Sequence, residues 1–135
     1  MKIALGQINT TIGDFTGNIA KIRAAIVQAK RESCNLIVFP ELTIPGYPPT
    51  DYVDKADFRE KCMRALDDLA RETAGIGVIV GYIEPAEHGS GGLPYNAAAL
   101  LHEGAIKARA YKRLLPSYDV FDENRYFQPG TDNSV

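Results

Sequence analysis

The sequence predicts an α/β fold that begins with alternating strands and helices and then turns antiparallel. Three observations carry this. Leu36-Ile37-Val38-Phe39 is a short continuous apolar run, the pattern of an interior strand, set between two stretches with helical apolar spacing. Three further strand-like segments follow the second helical stretch with no third helix between them. No GxGxxG follows the first strand and no GxxxxGK[ST] occurs, so neither a dinucleotide fingerprint nor a phosphate loop is present.

In chain order, Lys2–Ile8 reads as the first strand, with Ile3, Leu5 and Ile8 its large apolar residues. Thr10–Gly17 is a turn-rich connection. Asn18 is the expected N-cap of a helix to about Arg31, because Ile19, Ile22, Ile26 and Ala29 recur at helical spacing. The Leu36–Phe39 strand, expected to be covered on both faces, stops at Pro40, which has no N–H for a ladder. Thr43–Asp54 holds Pro45, Gly46, Pro48 and Pro49 and reads as loop. Asp57 is the expected cap of a second helix, Phe58 to about Thr73, with an apolar stripe of Phe58, Cys62, Ala65, Leu66 and Leu69. Gly77–Glu84 is the next strand and Pro85–Pro94 a glycine-rich turn. Tyr95–Leu101 and Ala105–Tyr111 form a hairpin around His102-Glu103-Gly104. Residues 112–135 read as ordered loop, and a structureless stretch of that length usually serves a function or packs against further chain.

Composition narrows the function. With a net charge of -2 and no basic stripe, a nucleic-acid partner is not expected. The apolar runs are too short to span a bilayer, so no membrane partner is expected either. The first strand starts almost at Met1, so no signal peptide is expected. Two cysteines outside a CxxC pattern and two histidines argue against a structural metal site. A reducing, cytoplasmic setting fits best.

Two segments carry candidate chemistry. Phe39-Pro40-Glu41 places a carboxylate just past an apolar strand, held rigidly and partly desolvated, as a general base requires. Taken alone, it would be a strand-end glutamate paired with a surface lysine. Lys112 closes a strand ahead of a loop ended by Pro116, and a lysine fixed there can donate to an oxyanion. Glu123 lies among Tyr118, Phe121, Tyr126 and Phe127, rings that can enclose a small pocket.

Together these segments resemble the nitrilase superfamily, whose sites use Glu, Lys and Cys. Within it, the chain looks like the N-terminal glutamine amidotransferase domain of the glutamine-dependent NAD synthetases. The resemblance rests on Ala4-Leu5-Gly6-Gln7-Ile8-Asn9 with Gly13-Asp14 and Asn18, and on Val38-Phe39-Pro40-Glu41-Leu42 with Gly46-Tyr47-Pro48-Pro49. It rests further on Gly81, on Tyr95-Asn96-Ala97-Ala98, on Lys112-Arg113-Leu114-Leu115-Pro116, and on Tyr118 with Phe121-Asp122-Glu123-Asn124-Arg125-Tyr126-Phe127. It covers essentially the whole chain. It implies a four-layer α-β-β-α sandwich of which this chain supplies about the first half. It also implies Glu41 as general base, Lys112 as oxyanion lysine, Glu123 as a supporting glutamate, and Tyr47, Tyr118 and Phe121 lining the glutamine pocket or its exit.

The implied chemistry is attack of a cysteine thiolate on the glutamine amide, release of ammonia, and hydrolysis of a γ-glutamyl thioester. The family's cysteine stands in a Cys-Glu-Asp context on a later strand, which this chain does not reach. The flanks of Cys34 and Cys62 do not match it; Cys34 is expected to pack at a helix end and Cys62 in the core. The chain alone is accordingly expected to be inactive. The expected partners are glutamine, a synthetase domain on the same polypeptide and further copies in a homo-oligomer. No cofactor or metal is expected in this stretch; ATP and magnesium are expected in the synthetase domain. The alternatives are another nitrilase-superfamily amidase or carbamoylase, and a non-catalytic assembly module of the same fold.

Overall fold

The computed structural model describes residues 1–87, 91–119 and 121–131. Five strands form one sheet in the order β1-β2-β3-β4-β5: β1 (Ile3–Leu5), β2 (Leu36–Val38), β3 (Gly77–Glu84), β4 (Tyr95–His102) and β5 (Ala105–Tyr111). β1, β2 and β3 run parallel, joined by the helices α1 (Phe15–Arg31) and α2 (Ala56–Ala70). β3, β4 and β5 are antiparallel. This is the alternation followed by a hairpin that the sequence predicts. The hairpin turns on Glu103 and Gly104, both at positive φ (49° and 74°), as a two-residue turn of the primed type requires.

The helices cover one sheet face. Ile22, Leu66 and Leu69 are fully buried there against Val78, Val80 and Tyr82. The opposite face is apolar but open: Leu36, Val38, Ile79 and Leu100 are half-buried, and Ile3 and Leu5 are exposed. β2 is therefore enclosed on one side through Ile37 and not on both, as its apolar run had led us to expect.

Several expected boundaries move. β1 is three residues rather than seven, because it pairs with β2 only over Ile3–Leu5 before Gly6 turns beneath the Phe39 ring. Helix α1 is capped by Asp14, whose carboxylate accepts the Gly17 N–H at 2.9 Å. Asn18, the expected cap, is fully buried one turn inside. Its amide accepts from the Thr11 N–H and donates to Thr11 O and Ile44 O, pinning the connection to the helix. Helix α2 begins at Ala56 with no side-chain cap, and Asp57 sits in its first turn, a position the helix dipole favours for a carboxylate. It ends at Ala70, and the Thr73 hydroxyl donates to the Ala70 carbonyl just beyond it.

Two loops hold short helices: a 3-10 helix over Thr50–Asp54, and α3 (Glu123–Tyr126), one turn long. Residues 88–90 of the expected turn and residues 120 and 132–135 of the expected loop lie outside the described residues. Among the described residues, no helix is long and apolar enough to cross a membrane.

Candidate active site

Glu41 begins a tight turn past β2 that is fastened to β3 by backbone. The Phe39 N–H donates to Ile79 O at 2.9 Å and the Ile44 N–H to Gly81 O at 3.1 Å. The Thr43 hydroxyl donates to the Pro40 carbonyl within the turn. Gly81 makes this approach possible: a Cβ there would lie 2.3 Å from Leu42 N and 2.9 Å from the Glu41 carbonyl carbon. Leu42 takes a left-handed φ of 47°, uncommon for a branched residue, and its full burial holds it in place.

Lys112 follows β5 directly. Its N–H donates to Asn96 O at 2.8 Å, which continues the β4–β5 ladder by one bond. The chain after it folds back onto the hairpin. The Glu123 N–H donates to Pro116 O at 3.1 Å, Gln128 N–H to Pro94 O at 3.0 Å and Gly130 N–H to Lys112 O at 2.9 Å. Gly130 passes so close that a Cβ would meet the Cβ of Tyr111 at 2.6 Å. Phe127, 3% exposed, anchors this strap in the core.

These two constructions bring the candidate residues together. The Lys112 ammonium lies 3.0 Å from Glu41 Oε1, and 3.0 and 2.9 Å from the two carboxylate oxygens of Glu123. Glu123 Oε2 is held there as an ion-pair contact and accepts no well-aligned hydrogen bond. The Tyr47 hydroxyl donates to Glu123 Oε1 across a long 3.4 Å. Partial burial pulls the Lys112 pKa down, but the hydrogen bonds it donates to Glu123 and Glu41, reinforced by their charges, outweigh it and hold the ammonium above the ordinary lysine range. Burial, then the charges of Glu123 and Glu41, push the Tyr47 phenol up and keep it a neutral donor.

The cluster opens into a depression of about 350 Å³ on the uncovered sheet face, lined by Glu41, Lys112 and Asn96 over a floor of Ile79, Gly81, Ala98 and Ala110. Depressions of about 480 and 620 Å³ lie elsewhere and share no residue with it, so size alone does not locate the chemistry.

The Glu41 side chain is 43% exposed, more open than a partly desolvated base was expected to be, because the described residues cover it from one side only. Glu123 is the buried carboxylate, at 8%. Tyr118 and Phe121 pack on each other with ring centroids 5.9 Å apart, Tyr118 being 70% exposed, and among the described residues neither ring bonds to the cluster. Asn96 was not singled out as a site residue, yet its amide donates to Glu41 Oε1 at 2.5 Å and its side chain is buried. The signal for it is an amide alone in the apolar strand Asn96-Ala97-Ala98-Ala99-Leu100-Leu101.

Neither thiol lines the depression. Cys62 is fully buried, accepts the Ile83 N–H, and burial pushes it up to about 12. Cys34 packs at the end of α1, its N–H on Ala29 O. Both match the structural roles expected of them. Among the described residues, no group of three or more His, Cys, Asp or Glu is placed to hold a metal ion.

Known proteins share both the sequence and the architecture. The chain is 40% identical to a glutamine-dependent NAD(+) synthetase of Thermotoga maritima over 134 residues, 98% of this chain and 22% of that protein. It is 41% identical to the corresponding synthetase of Xanthomonas campestris, covering 100% of this chain and 24% of that one. The solved glutamine-dependent NAD+ synthetase of Acinetobacter baumannii superposes with a TM-score of 0.89 at 35% identity, over 96% of this chain and 24% of its own. An amidase from Nesterenkonia superposes at 0.81 and 26% identity, over 98% of this chain and 49% of its own. A mutant of that amidase carries the acetamide moiety of fluoroacetamide covalently at its active-site cysteine. The chain thus spans about a quarter of the length of the synthetases and about half that of the amidase. The carbon-nitrogen hydrolase model matches residues 2–135, and the chain belongs to that family.

Proposed function

We propose that this chain is the N-terminal part of the glutaminase domain of a glutamine-dependent NAD synthetase. In this reading the rest of the polypeptide supplies the nucleophilic cysteine and the synthetase domain, and ATP and magnesium act in the latter. The observation that carries the reading is one ammonium shared by two carboxylates at the mouth of a small depression, Lys112 at 3.0 Å from both Glu41 and Glu123. The lengths and names of the relatives support the setting.

Each residue then has a task. Glu41 takes the thiol proton as sulfur attacks the carboxamide carbon, and returns it to the departing nitrogen, which leaves as ammonia. It next takes a proton from the water that hydrolyses the γ-glutamyl thioester. Lys112 donates to the carboxamide oxygen as it becomes an oxyanion. Glu123 keeps Lys112 charged and aimed, Tyr47 orients Glu123, and Tyr118 and Phe121 border the glutamine pocket or its exit. This chain holds the assisting groups and not the thiol. A homo-oligomer working in the cytoplasm belongs to the same reading.

The test uses a polypeptide that joins this chain to its synthetase. Glu41→Gln keeps the side-chain shape but cannot accept a proton, so glutamine-driven NAD formation falls by about 10²–10⁴. Ammonium-driven formation is unchanged, because amination occurs on another domain. Equal loss of both would make Glu41 a structural residue. A second reading, a stand-alone amidase, is favoured by the Nesterenkonia likeness; it prevails if ammonia is released from small amides and no NAD forms from either nitrogen source.

A further inference from the structure

Glu41 Oε1 is fully committed: it accepts from the Asn96 amide at 2.5 Å and from the Lys112 ammonium at 3.0 Å. Glu41 Oε2 has no hydrogen-bond partner among the described residues and belongs to a side chain that lines the depression. A carboxylate that turned freely about its last torsion would present either oxygen to a substrate. This one cannot turn without breaking two charge-assisted bonds.

Asn96 is the fixed end of the arrangement. It sits 3% exposed within β4, paired with Ile83 of β3, so its backbone is set by the sheet and its side chain has little room to move. Its carbonyl accepts the Lys112 N–H at 2.8 Å while its amide nitrogen holds Glu41. One residue therefore grips both members of the cluster, the lysine by backbone and the glutamate by side chain. An amide suits this place: it donates to the carboxylate and brings no charge of its own to compete with Lys112 and Glu123.

We propose that Asn96 is a positioning residue which assigns the two oxygens of Glu41 different tasks, holding Oε1 against Lys112 and leaving Oε2 as the oxygen that takes and returns the proton. The proposal rests on the glutaminase reading for its chemistry but not for its geometry. Without the Asn96 bond, Oε1 is tied by Lys112 alone, and the carboxylate can rotate or follow the ammonium toward Glu123.

The test compares Asn96→Leu, which keeps the branched shape without a donor, with Asn96→Ala, which leaves a gap. In the glutamine-hydrolysing polypeptide both lower kcat by about 10- to 100-fold, the span expected for one hydrogen bond to a charged group. KM for glutamine stays within about threefold, and ammonium-driven NAD formation does not change. If Asn96 only fills space, Asn96→Leu keeps near-normal kcat, and the proposal is overturned. A crystal structure of this chain carrying Asn96→Leu supplies the second readout and does not depend on any activity. The Glu41 carboxylate is expected to rotate away from its 3.0 Å contact with Lys112 or to occupy two orientations. A carboxylate that keeps its plane and its 3.0 Å contact with Lys112 in a single orientation overturns the proposal even if glutamine turnover falls. Should the parent polypeptide not hydrolyse glutamine at all, the functional reading fails while this structural readout still decides the role of Asn96.

Discussion

Glu41 and Glu123 face the same ammonium and are held in opposite ways. Glu41 stands on the parallel half of the sheet, where its turn is bonded to β3 on both sides, yet its side chain is 43% exposed. Glu123 stands on a one-turn helix in the strap that follows β5, bonded to the rest through a few backbone groups, yet its carboxylate is only 8% exposed. The stiffer scaffold thus carries the more open group. A carboxylate that must meet a substrate has to be both fixed and reachable, and a strand end next to an open sheet face provides both. A carboxylate that serves only as counter-ion to a lysine does better covered, where its charge is less screened. Lys112 joins the two regions, since its backbone extends the hairpin while its side chain ties the strap to the β2 turn.

Removing that joint should produce the largest effect. Lys112→Met keeps most of the apolar stem and leaves Glu123 buried beside no cation. Breaking a fully buried pair costs about 3–5 kcal/mol; with Lys112 27% exposed, about 2–3 kcal/mol is expected here after allowing for solvent screening. If Lys112 is the oxyanion donor of the proposed reading, glutamine-dependent turnover of the full polypeptide should drop by about 10²–10³. The pKa of Lys112 is raised in the folded state, so its contribution to stability is present below the ordinary lysine pKa, about 10.4, and is lost as pH climbs through the higher folded value. Denaturant titrations from pH 9 upward should therefore show an alkaline decline that is shallower in Lys112→Met. Identical declines would mean that the ammonium does not couple the two regions.

A smaller effect is expected on the sheet side alone. Gly81→Ala drives a methyl into Leu42 N, the Glu41 carbonyl carbon and Pro40 O, all backbone atoms that cannot swing aside. Forced overpacking of this kind costs about 1–3 kcal/mol, and the Glu41 turn must lift off β3. Thermal unfolding should register the loss. Crosspeaks of the 123–127 segment in an amide NMR spectrum should move less than those of 40–46, if the two regions are built independently. Equal shifts in both would contradict the separation drawn here.

The parts legible in the sequence are those governed by local periodicity. β3, β4 and β5 fall within a residue of their expected bounds, because apolar and turn residues alternate cleanly there. Glu41 and Lys112 each follow a strand end, and the parallel-then-antiparallel order sets those ends on the same edge of the sheet with β3 and β4 between them, so it is the long side chains that meet. The start of α1 was misjudged because Asp14 and Asn18 are both good caps, and only the path of Pro45 and Ile44 across the helix shows that Asn18 is needed elsewhere. Asn96 went unassigned since its partner is 55 residues away and no local pattern reports such a pairing. The single-turn helix that positions Glu123 is too short for any periodicity to reveal.

The smallest expected effect concerns Tyr118, where a role carried over from the resemblance meets a structure that neither uses nor forbids it. Its ring is 70% exposed and touches Phe121 edge-on at 5.9 Å. Exposed substitutions away from such packing usually shift stability by less than about 0.5 kcal/mol, so Tyr118→Ala should unfold within that margin of the parent chain. If the ring borders the glutamine pocket, KM for glutamine should rise in the full polypeptide while kcat changes little, the signature of lost uniform binding. Tyr118→Phe then separates ring from hydroxyl: stacking alone is preserved, so recovery of KM assigns the contact to the ring face. A KM unchanged in both variants would remove Tyr118 from the pocket and confine the functional part of the strap to Glu123, whose burial already sets it apart from the exposed loop that precedes it.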